Sequence, residues 1–79
     1  MAGLAMAYIE QLGGKGNIQG VDGCITRLRV TVRDISIIDD ESFKKLGASG
    51  VLRPGKNAIQ VVVGTKAENL ADTIRKYMK

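Results

Sequence analysis

No histidine or tryptophan occurs in the 79 residues, and cysteine and proline occur once each. Without histidine the chain has no imidazole acid or base, no Cys-His nucleophilic pair, and no phosphohistidine of its own. Most zinc sites are excluded as well. A single cysteine cannot close an internal disulfide, so stability must come from packing, and the redox argument favours a reducing, intracellular setting. Aromatic residues are limited to Tyr8, Phe43 and Tyr77, all in segments with helical apolar spacing. That leaves no aromatic platform on which bases would stack, so the net charge of +4 does not by itself argue for nucleic acid. No apolar run approaches the roughly 20 residues of a membrane-spanning helix. The opening MAGLAMAYIEQLGG is too short for one, and it lacks the basic start and cleavage site of a signal peptide.

What remains has the composition of a globular chain, 44% hydrophobic and 25% charged, expected to form one small domain over residues 1–79. Leu4, Ala5, Tyr8, Ile9 and Leu12 recur at helical spacing, and Gly13-Gly14 stops that helix. NIQGVDG predicts a short strand ending in a hairpin turn at Asp22-Gly23. Thr26 to Val32 predicts the next strand, with Leu28, Val30 and Val32 on one face and Arg27, Arg29, Thr31 and Arg33 on the other. IDDESFKKLG predicts a helix capped by Asp39 or Asp40 and ended by Gly47. Two further strands follow around Pro54-Gly55-Lys56-Asn57. In the last segment Thr65 and Glu68 predict a capping box, followed by an apolar stripe with Arg75, Lys76 and Lys79 near the helix's negative end. The order is α-β-β-α-β-β-α. Hairpin connections and three amphipathic helices imply an α+β fold: a four-stranded antiparallel sheet of two hairpins, with the helices on one face.

The stretch DGCITRLRVTVRD poses the functional question. Cys24 is either a small apolar filler or a nucleophile, and the nucleophilic reading requires it to belong to the turn, because a regular strand would aim it at the core with Leu28. Arg27 and Arg29 leave one face of their strand. Their cations would favour a thiolate and their paired donors suit phosphoryl oxygens. Asp22, two residues before the thiol, works against both effects. The backbone amides after Cys24, at Ile25 onward, and the Gly64-Thr65-Lys66 turn are further anion-contact candidates. A rival reading is a non-enzymatic basic binding or regulatory module that uses the Arg27/Arg29 face.

CITRLRV, preceded by Asp22 and followed by LGASGV (46–51) and GTKAENL (64–70), resembles the enzyme IIB domain of the glucose family of the bacterial phosphoenolpyruvate-dependent sugar phosphotransferase system. The resemblance runs from the first helix to the last. It implies a sugar phosphotransferase in which Cys24 takes a phosphoryl group from a phosphohistidine on a IIA domain and passes it to a sugar held by a membrane IIC domain. Arg27 and Arg29 then assist the transfer, and Thr26 lies beside the site. It also implies a cytoplasmic domain attached to the membrane through IIC, no cofactor, no metal, and no nucleic-acid partner. The motif variant leans towards the glucose and N-acetylglucosamine branch. Position 23 more often carries alanine in this family, so Gly23 is expected to loosen the turn.

Overall fold

The computed structural model describes residues 1–78. Helix α1 spans Ala2–Gln11, followed by strands β1 (Ile18–Gly23) and β2 (Arg27–Val32), helix α2 (Asp40–Lys45), strands β3 (Gly50–Gly55) and β4 (Ala58–Val62), and helix α3 (Ala67–Met78). The strands form one antiparallel sheet in the order β1-β2-β4-β3, so the second hairpin folds back with β4 against β2. The expected α+β architecture is the observed one.

Alternation in β2 sets which face is covered. Leu28, Val30 and Val32 are buried, while Arg27, Arg29 and Thr31 are exposed. Ile59 and Val61 of β4 join the buried face. Tyr8 of α1 and Leu12 just after it, Phe43 of α2, and Leu70, Ala71 and Ile74 of α3 close over it. Each large side chain removed from water in this way contributes about 1.5–3 kcal/mol. The Tyr8 and Phe43 rings pack at 5.6 Å between centroids, tying α1 to α2. One buried polar side chain pins the turn before β1. Asn17 donates from Nδ2 to the carbonyls of Leu12 and Asp34, and its Oδ1 accepts from the Asp34 amide.

Asp39 caps α2 by accepting from the Glu41 amide, and Gly47 at φ 98° ends that segment, both as the sequence predicts. Three local expectations shift. Asp22 and Gly23 are not the hairpin turn; they pair with Arg29 and Leu28 as the last rungs of the ladder. Asp-Gly signals a turn because glycine reaches positive φ cheaply, and Gly23 does not use that freedom. Thr26 falls in the turn rather than in the strand, which begins at Arg27. The capping box does not form. Gly64–Lys66 make a single 3-10 turn, and Thr65 makes no capping bond among the described residues. Gly64, at φ 81°, redirects the chain there. Lys79, expected to join Arg75 and Lys76 at the end of α3, lies outside the described residues.

Candidate functional site

Cys24 stands outside the β1–β2 ladder, in the Cys24-Ile25-Thr26 turn that joins the two strands. Its amide donates to the Arg27 carbonyl at 2.9 Å, which closes the turn. The residue is half-buried and absent from the hydrophobic core, so it has left the strand's alternation rather than joined Leu28. Beyond it Ile25 projects into solvent, 74% exposed, an uncommon position for a large apolar side chain.

The turn is held by the segment that follows β4, the strand beside β2. The Thr26 carbonyl accepts from the amides of Val63 at 3.0 Å and Gly64 at 3.1 Å. Two stretches 38 residues apart, at positions 26 and 64, thereby become one surface. Gly64, Thr65 and Lys66 lie next to the cysteine turn, with the Thr65 hydroxyl released from the capping duty that the sequence suggested.

Gly23 explains how close that approach is. A Cβ on residue 23 would meet the Ala67 carbonyl oxygen and the Glu68 Cα at 2.7 Å each. Glycine therefore does not loosen the turn; it lets the start of α3 press against the residue before Cys24, correcting the expectation from the family pattern.

Arg27 and Arg29 lie on the exposed face of β2, opposite Val62 and Gln60 of β4. Arg27 donates from Nη1 to Gln60 Oε1 at 3.2 Å, which gives its guanidinium a fixed neighbour without neutralising it. Asp22, the carboxylate expected to oppose the thiol, is engaged elsewhere. Its Oδ1 accepts from the Gly23 amide at 3.0 Å and lies 3.8 Å from Arg75 Nη1 of α3.

The structure thus brings together Cys24, Ile25, Thr26 and Gly64 by backbone contacts, with Thr65 and Lys66 adjoining. Arg27 and Arg29 occupy the neighbouring sheet face. Two residues that contact the candidate site were not singled out from the sequence, Gln60 through Arg27 and Arg75 through Asp22. Gln60 was legible only as an open-face position until β4 was known to pair with β2. Arg75 carried no local signal, because its partner lies 53 positions earlier.

A small α+β domain whose one cysteine lies in the turn before a strand carrying two exposed arginines is thereby defined, and its relatives agree on what kind it is. A family model described as phosphotransferase system, EIIB matches residues 7–39. The N-acetylglucosamine-specific EIICBA component of Klebsiella pneumoniae is 49% identical over 75 residues, 95% of this chain and 12% of that protein. The phosphotransferase enzyme IIB component GlvB of Escherichia coli is 46% identical over 71 residues, covering 89% of this chain and 44% of GlvB. Among solved structures, one domain of a phosphotransferase-system IIabc component from Clostridium difficile superposes with a TM-score of 0.74 at 29% identity. That match covers 94% of this chain and 74% of the other. The chain belongs to the enzyme IIB domains of the glucose family. It spans between 12% and 44% of the length of these curated relatives.

Proposed function

We propose that this domain is a phosphocysteine carrier in sugar uptake. Cys24 receives a phosphoryl group from a phosphohistidine on a IIA partner and delivers it to a sugar bound by a membrane IIC domain. In the first step the thiolate attacks phosphorus, the S–P bond forms, the P–N bond breaks, and the electron pair returns to the imidazole nitrogen. In the second a sugar hydroxyl oxygen attacks phosphorus, the S–P bond breaks, and the thiolate leaves as the hydroxyl proton passes to a base on the sugar-binding partner. The absence of histidine fits a chain whose donor imidazole belongs to a partner.

The observation that carries this reading is Cys24 itself, half-buried off the ladder, with exposed Arg27 and Arg29 following on the outward face. Phosphoryl transfer spreads charge over three equatorial oxygens, so positioned cations and amides are the required parts. Arg27 and Arg29 act in transfer by holding those oxygens. Thr26 holds the turn through its carbonyl, and the Ile25 amide with the Gly64-Thr65-Lys66 turn supplies further contacts. The exposed Ile25 side chain suits the apolar centre of a partner surface.

The relatives' names, EIICBA and EIICB, support IIA and IIC domains as the partners and a location on the cytoplasmic side of the membrane through IIC. No described helix is long and apolar enough to cross a membrane. Relatives named N-acetylglucosamine-specific and glucoside-specific both match, which suits sugar choice residing in IIC rather than in this domain.

The test is incubation with phosphorylated IIA domain. Label should appear on Cys24 with the acid and base lability of a thiophosphate, and Cys24→Ser should take none. Equal labelling of the serine variant would end the nucleophile assignment. Binding to acidic polymers that survives loss of the thiol, with no labelling, would favour the basic-module reading instead.

A further inference from the structure

Strand register sets Asp22 directly opposite Arg29. Both line a shallow depression on the open sheet face, together with Gly20, Thr31 and Gln60. Directly opposed side chains on one face have Cβ atoms about 4.5–5.5 Å apart, and opposite charges there ordinarily pair. They do not pair here. Among the described residues Arg29 takes part in no ion pair.

Arg75 accounts for the difference. From α3 it reaches the outer edge of β1, where Nη1 donates to the Val21 carbonyl at 2.7 Å and lies 3.8 Å from Asp22 Oδ1. Its Nη2 donates to Asp72 Oδ1, one helical turn earlier, which holds the guanidinium in that orientation. Val21 is on an edge strand, so its outward carbonyl would otherwise have only water as partner. The Gly23 amide secures the same Asp22 oxygen from the other side.

We infer that Arg75 is a positioning residue: by engaging Asp22 at the edge of β1 it keeps the carboxylate off Arg29, leaving that guanidinium free for an incoming anion. The importance of a free Arg29 rests on the phosphocysteine reading, but the sequestration of Asp22 does not. Arg75 touches no reacting atom and acts through Asp22 alone.

The experiment uses two readouts on the folded domain, neither requiring phosphoryl transfer. The first is the alkylation rate of Cys24 by anionic iodoacetate divided by that by neutral iodoacetamide, a ratio that reports local potential and cancels the thiolate fraction. At low salt Arg75→Gln should lower this ratio about threefold, the size expected for one unit charge a few ångströms away in water, and high salt should shrink the effect. Asp22→Asn should raise the ratio clearly in the Arg75→Gln background and little in the wild type. An equal rise in both backgrounds means the two charges act independently and overturns the inference. The second readout is the Arg29 Nε–H resonance. It should shift on Arg75→Gln, return with Asp22→Asn, and stay in place when Asp22→Asn is made alone. That last variant decides the matter even if Arg75→Gln fails to fold: a shift in it means Asp22 already sits on Arg29, and the inference is wrong. Phosphoryl transfer from Cys24 to sugar, measured separately, should fall with Arg75→Gln and recover in the double variant. Its complete absence in wild type would count against the carrier reading while leaving the sequestration test intact.

Discussion

The backbone of Gly23 lies so close to that of Ala67 that a Cβ at position 23 would come within 2.7 Å of the Ala67 carbonyl oxygen. The close approach sets the residue before the thiol against the first residue of α3. Gly23→Val should lower stability by about 2–3 kcal/mol, because the obstacle is backbone rather than a movable side chain. The denaturant midpoint checks this, and an unchanged midpoint would show that α3 starts further from β1.

Asn17 is buried and makes three side-chain hydrogen bonds to the backbone of Leu12 and Asp34. Asn17→Ala strands those groups, each costing about 1–3 kcal/mol where water cannot replace the partner. A total loss of about 2–4 kcal/mol is expected, since the Asp34 side is only part-buried. Chemical denaturation with an unchanged slope would report it.

The Tyr8 hydroxyl is buried without a hydrogen-bond partner among the described residues. Tyr8→Phe removes that unsatisfied group at little loss of volume, so stability near neutral pH should hold or rise by up to about 1 kcal/mol. Burial also pushes the phenol's pKa up. The unfolded chain therefore ionises first, and the wild type should lose stability as pH climbs past the ordinary tyrosine value of about 10. The phenylalanine variant should lack that share of the loss. Midpoints compared between pH 8 and 11 test both halves.

Arg27 and Arg29 are exposed, so replacing either by alanine should change stability by no more than about 0.5 kcal/mol. Transfer from phosphorylated Cys24 to sugar should slow about a hundredfold, the usual cost of losing one preorganised donor to a developing anion. On the proposed carrier reading the arginines act chiefly as the group leaves, so acceptance from IIA should suffer less. Single-turnover rates for the two half-reactions separate these effects, and equal losses in both would contradict the asymmetry.

Much of the fold was legible because it rests on short-range periodicity. The alternation of Leu28, Val30 and Val32 with Arg27, Arg29 and Thr31 defines a strand with one wet face whatever its neighbours are. The apolar stripe of α3 and the Asp39 cap of α2 are similarly local. The misplaced features share a cause. Asp22-Gly23 and Thr65-Glu68 have strong local preferences that did not prevail, the first beside the close packing of α3 and the second where Gly64, its amide bonded to the Thr26 carbonyl, redirects the chain.

The candidate site divides along the same line. A lone cysteine followed at spacings of three and five by arginines is a property of the chain, and it survives any packing. Whether the thiol faced the core or the turn depended on one step of register, since a strand's side chains change sides with every residue. Only the folded molecule decided that step, by pairing Gly23 with Leu28 and releasing Cys24. Tertiary structure alone also joined Thr26 to Gly64 and turned Asp22 towards Arg75, because distant segments meet only once the sheet and its covering helix have formed.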